Sequence, residues 1–225
     1  MVPASRLFGA PTICLLALAS RNARGDGSAT SGAGELAFVR PPEPGHSFVQ
    51  YGVAFTVEGV ASPGPICAPN VPCILGSGAG IVARAGWRPT EALYLGGAYE
   101  FSKQDPNNLY RLGLLQQVRG EIRLYFPNGT QTTPFVTSGA GLAAYGDEWS
   151  VGTWGATAAI GGGLELELSG AVHLGLALVY RPIYFRAWVY PSTIPHEAGF
   201  AHLVGLELAL EAQDRLGETS VRLFR

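Results

Sequence analysis

Alternation with a period of two constrains this chain more than any other feature, and it is cleanest between Leu164 and Tyr180, LELELSGAVHLGLALVY. Leu164, Leu166 and Leu168 share one parity, and Glu165 and Glu167 take the other. Successive side chains of a strand point to opposite faces, so one face is leucine and the other acidic. After Ser169-Gly170 the pattern resumes, with Val172, Leu174, Leu176, Leu178 and Tyr180 apolar against His173, Gly175, Ala177 and Arg181. The stretch predicts a β-hairpin. Both apolar sets share a face only if paired residue numbers sum to an even number, which calls for an odd loop. The loop Leu168-Ser169-Gly170, with Gly170 in the left-handed region, meets that condition and sets Glu165 directly opposite His173.

The same period runs through most of the 225 residues. Strands are predicted at 48–58, 78–88, 92–102, 110–126, 134–145, 151–168, 171–181 and 200–212. Residues 110–126 contain good helix formers, but their charges follow a period of two and not 3.6. Eight strands is an even number. The connections at 59–77, 103–109 and 182–199 are long, and those at 89–91 and 168–170 are short, with 127–133 intermediate. The loop at 146–150 is the modest exception on the long side. Long loops at one end and short turns at the other fit an antiparallel up-and-down barrel, which closes without leaving an edge.

Alternation alone does not say whether the apolar face points in or out, but composition does. The apolar face is rich in Leu and Val, nearly free of charge, and carries aromatics near strand ends: Trp87, Phe101, Phe126, Trp154, Tyr180 and Phe200. That matches aromatic girdles at two membrane interfaces. The opposite face combines Gly and Ala with Arg84, Arg88, Arg111, Arg119, Arg123 and Arg181, and with Glu58, Glu100, Glu121, Glu165, Glu167, Glu207 and Glu211. Near-balance of charge is what a filled polar interior needs, because a buried unpaired charge is costly and a hydrogen-bonded pair roughly breaks even. The only lysine is Lys103, whereas a water-facing β-protein usually spreads lysine along its surface. The expected fold is all-β, an eight-stranded antiparallel transmembrane β-barrel behind an N-terminal signal segment. A secreted lipocalin-like barrel is the alternative, and its ligand cavity would have to hold the leucine face.

The expected organisation is a signal peptide at 1–19, a flexible leader at 20–46, the barrel at 47–212 and a periplasmic tail at 213–225. Arg6, an apolar run from Leu7 to Ala19 and the small-residue site Ala17-Leu18-Ala19 carry the first of these. Cys14 falls inside the signal. Cys67 and Cys73, in CAPNVPC within a Pro-rich loop, read as a disulfide in an exported protein. A net charge of −2 gives no reason to expect a nucleic-acid partner.

With these features the chain resembles the small outer-membrane β-barrel families of Gram-negative bacteria, similar in architecture to the OmpA transmembrane domain and OmpX. The resemblance covers roughly residues 47–212 and is one of architecture. It implies a bacterial outer-membrane location and contact with outer-membrane lipid. Such barrels commonly end on an aromatic residue that the assembly machinery reads, whereas here a polar tail continues to Phe224-Arg225, which makes Phe224 the candidate signal.

No catalytic, cofactor or metal site is expected. His202 resembles the rim histidine of lipid A deacylases, but Val204 stands where their nucleophilic serine lies two residues on. Glu165 and His173 are the right types for general acid/base work but sit inside a filled barrel without substrate access. His46 and His196 fall in the leader and a loop, and scattered glycines make no phosphate loop. The expected role is structural or loop-mediated, in a monomer, with the loops 67–73 and 182–199 meeting an extracellular ligand or protein. A narrow channel for solutes or apolar compounds is the second class, and a lipid-modifying enzyme the third.

Overall fold

The computed structural model describes residues 47–67, 73, 75–105, 113–146, 150–189 and 195–216. Alternating residues form eight long strands: β1 (Phe48–Ser62), β2 (Ser77–Thr90), β3 (Leu93–Asp105), β4 (Gly113–Tyr125), β5 (Thr132–Gly146), β6 (Val151–Ser169), β7 (Val172–Phe185) and, after a small hairpin, β10 (Gly199–Arg215). The hairpin pairs β8 (Trp188–Val189) with β9 (Pro195–His196), and one turn of 3-10 helix spans Gly64–Ile66. The long strands pair antiparallel in the order β1-β10-β7-β6-β5-β4-β3-β2 and close on themselves, so every strand has two neighbours.

Closure decides what each parity meets. Val53, Phe55, Ile81, Val118, Leu142, Ile160, Leu164, Leu178, Leu206 and Leu208 all point outward and are exposed. Arginines and glutamates of the other parity are buried inside. A protein in water has the reverse distribution, because each exposed apolar side chain forfeits the gain of leaving water. Ala54, Val82, Ala98 and Ala209 form a small inward cluster that leaves room for the long polar chains beside them. Gly141 is needed for close approach, since a Cβ there would stand 1.8 Å from the Val118 carbonyl oxygen across the β4–β5 ladder.

The β6–β7 hairpin differs from expectation in register. Glu165 pairs with Gly175, Leu166 with Leu174 and Glu167 with His173, and an irregularity follows between Glu167 and Ser169. The turn is Gly170-Ala171, and the positive-φ glycines are Gly64 and Gly129, not Gly170. A bulge at Leu168 therefore supplies the odd residue that the left-handed glycine was expected to supply. Bonds to the flanking strands explain the choice: the Glu167 amide donates to the Gln131 carbonyl, and the Gln213 amide to the Ala171 carbonyl. The register moves by two, so the faces are unchanged. β7 continues to Phe185 and β10 to Arg215, both beyond their expected ends. Residues 1–46, Arg111 and Phe224 lie outside the described residues, and with them the signal, the leader and the assembly signal.

Candidate functional site

The interior is layered along the barrel axis. At the centre, the fully buried Arg181 of β7 lies 2.6 Å from Glu58 of β1 and 3.1 Å from Glu100 of β3, and also pairs with Glu207 of β10. Arg119 of β4 lies 2.5 Å from Glu100 and 3.3 Å from Glu121. Arg84 of β2 joins Glu121, at 3.1 Å, to Glu207. Each arginine thus touches carboxylates from other strands, and its planar fork suits this better than a lysine point charge. Gln104 donates to Glu58 at 2.9 Å, and Thr157 donates to Gln117 at 2.8 Å.

Towards the short-turn end the network becomes aromatic. Arg123 lies 2.9 Å from Glu211 and 5.3 Å from the ring centroids of both Tyr94 and Phe135. Arg88 stacks 3.9 Å over Tyr125 and lies 3.1 Å from Glu165. His173, cross-strand from Glu167, reaches diagonally to Glu165 at 3.5 Å. A void of about 10 Å³ between Arg84, Arg123, Glu165, His173, Glu207 and Glu211 has room for about one water. Of the expected interior charges, eleven are buried, six glutamates and five arginines. Glu167 is the departure: it is half-buried beside the turn and makes no ion pair among the described residues, because the register leaves it at the barrel's rim.

At the long-loop end the described residues form a buried apolar cluster that the alternation did not reveal. Ile66, Leu75 and Trp188, from the loops, pack with Leu115, Ile183, Phe185 and Leu203 from the strands. His196 is buried, stacked 4.6 Å from Trp188, with its Nδ1 donating to the Ile66 carbonyl at 3.3 Å. Cys67 and Cys73 are joined by a disulfide and pack on this cluster. Gly199 is held under Pro65, where a Cβ would meet the proline ring at 2.1 Å. Apolar residues inside aperiodic loops, Ile66 and Trp188 above all, were the available signal.

All six expected rim aromatics are exposed on the outside. Trp87 and Phe126 lie towards the short-turn end, and Phe101, Trp154 and Phe200 towards the long-loop end. Tyr180 lies deeper than expected, because β7 runs on to Phe185 and places Tyr184 above it. The Tyr180 hydroxyl is 2.6 Å from His202 Nδ1. Among the described residues no cluster of His, Cys, Asp or Glu is arranged to hold a metal.

No protein-family model matches the chain, and no curated protein matches it in sequence. Among solved structures, Neisserial surface protein A is similar at 14% identity over 74% of this chain and 96% of that one, with a TM-score of 0.49. The outer membrane protein OprG of Pseudomonas aeruginosa is similar at 12% identity over 77% and 98%, with a TM-score of 0.46. The N-terminal β-barrel domain of OprF, from the same organism, follows at 13% identity over 75% and 99%, with a TM-score of 0.41. The identification rests on this chain's own geometry, a closed ladder with its charges inside and its leucines outside. In a bilayer only closed barrels satisfy the backbone of strands. The protein is an eight-stranded antiparallel β-barrel of the transmembrane type, with a lipid-facing apolar wall and a charged interior.

Proposed function

We propose that this protein serves a structural or loop-mediated interaction role and that its barrel does not conduct. The observation that carries the reading is the continuous Arg–Glu network across the centre, from Arg84 through Glu207 and Arg181 to Glu100 and Arg119. An eight-stranded barrel is just wide enough for side chains to fill it, and the void beside Arg84, Arg123, Glu165 and Glu211 is about 10 Å³. The buried apolar cluster at the long-loop end adds to the reading. A conducting path would require breaking several buried pairs at once, each costing about 3–5 kcal/mol. The loops at the long-loop end are then the surface offered to an extracellular ligand or protein. The reading includes a monomer without cofactor or catalytic activity.

Planar-bilayer recording of the purified protein tests this. Silent bilayers after verified insertion are expected. Steady ohmic steps in the wild type would refute the filled barrel and favour a solute passage.

A further inference from the structure

On the outer face of β6, β7 and β10, close to the long-loop end, polar groups stand among apolar side chains. Arg186 follows β7 directly and lies 4.8 Å over the ring of Trp154, its amide donating to the Trp154 carbonyl at 3.4 Å. It makes no ion pair among the described residues. Four residues deeper, Pro182 pairs with His202 of β10. The His202 ring lies nearly parallel to those of Tyr180, with centroids 5.9 Å apart at 6°, and Phe200, at 6.4 Å and 18°. Its Nδ1 is taken by the Tyr180 hydroxyl, and its Nε2 has no partner among the described residues. If the hydroxyl donates, the pair's free donor is the ring N–H at Nε2, and if Nδ1–H donates it is the tyrosine O–H, so either way one donor is left over.

A polar N–H or O–H on a lipid-facing wall costs free energy unless something there accepts a hydrogen bond. Four residues of strand span about 13 Å, or about 10 Å of depth at a tilt of about 40°. A fixed guanidinium at the rim and a donor about 10 Å deeper match a lipid with an anionic phosphate in its headgroup and an acyl carbonyl below it.

We propose that this face binds one phosphorylated, acylated lipid of the outer leaflet, with Arg186 holding the phosphate and the Tyr180–His202 pair hydrogen-bonding an acyl carbonyl. Arg suits the phosphate through its planar fork, and Trp154 keeps that fork in place. Lys103, the other exposed cation towards this end among the described residues, is a flexible point charge and makes no ring contact with them. The site lies outside the barrel and does not depend on whether the barrel conducts.

Native mass spectrometry of the full protein released from phosphatidylcholine nanodiscs doped with diphosphorylated lipid A tests the assignment. Arg186→Ala should lower retained lipid A about tenfold, the worth of one charge-assisted contact. Wild-type protein should hold enzymatically dephosphorylated lipid A no better than the Arg186→Ala variant holds the phosphorylated form. His202→Leu should weaken both forms alike, and Lys103→Ala should bind as wild type. Heat-modifiable gel mobility confirms that each variant is folded before it is compared. The proposal fails if Arg186→Ala retains lipid as wild type does, if Lys103→Ala loses as much, or if His202→Leu changes neither form. Displacement of the lipid by millimolar inorganic phosphate would also overturn it, because the site would then recognise a free anion.

Discussion

Replacing Arg181 with methionine removes the cation shared by Glu58, Glu100 and Glu207 while keeping an unbranched apolar stem of similar reach. At a separation near 3 Å and an effective dielectric of about 20, each contact is worth about 5 kcal/mol before desolvation. Desolvation of the partners cancels much of this in the wild type, but the variant keeps the desolvated carboxylates and loses the attraction. Glu100 retains Arg119 and Glu207 retains Arg84, so Glu58 bears most of the loss, with only Gln104 left to donate to it among the described residues. The expected cost is therefore that of breaking one buried pair, about 3–5 kcal/mol. Leu178→Ala, on the exposed outer face of the same strand, removes three carbons and should cost at most about 2.4 kcal/mol at about 0.8 kcal/mol per carbon. Urea unfolding from vesicles, followed by tryptophan fluorescence, measures both. The double variant Arg181→Met with Glu58→Gln removes the stranded charge and should recover at least about 1.5 kcal/mol, the low end for a charged hydrogen bond. A loss for Arg181→Met no larger than that for Leu178→Ala, or no recovery in the double variant, would refute the network as the source of the stability.

Glu165→Leu strands Arg88, which lies 3.1 Å from it, and should reduce the heat-modifiable folded band more than Leu166→Ala on the outer face; equal losses would contradict the assigned facing. Gly141→Ala drives a Cβ to 1.8 Å from the Val118 oxygen and should abolish that band, whereas Gly162→Ala, whose nearest contact is 3.4 Å, should fold. Replacing Cys67 and Cys73 together by serine opens a short loop, their sequence separation being 6, and should cost about 2 kcal/mol by chain entropy. Protease sensitivity at the long-loop end should rise in that variant while the strands stay protected, and fragmentation of the strands themselves would count against a local role.

The strands and their facing were legible because period two is a local property: Leu164, Leu166 and Leu168 declare their face without reference to any partner. The hairpin register was not, because the Gln131 and Gln213 backbones of neighbouring strands, rather than Ser169-Gly170, decide where the extra residue goes. Charge balance suggested an ion-pair interior, but not that Arg181 meets Glu58 across a separation of 123 residues. That meeting follows from tilt and closure, which alternation does not encode. The apolar cluster was hidden for a different reason, since Ile66, Trp188 and His196 lie in segments with no period.

The seam between β1 and β10 joins the two ends of the described chain, with Tyr51 donating to Asp214 at a separation of 163 residues. Closing a flexible loop of that length costs about 4.5 kcal/mol of chain entropy by the logarithmic law. Every other ladder in the barrel except β7–β10 joins consecutive strands, so they can form progressively as the chain is laid down. The β1–β10 pairing cannot begin until the last strand has arrived, and until then two rows of unpaired amides face the lipid. Topology therefore makes insertion an all-or-none event governed by the final seventeen-residue strand, and a chain stalled before Gly199 carries every other long strand yet still has no closed wall.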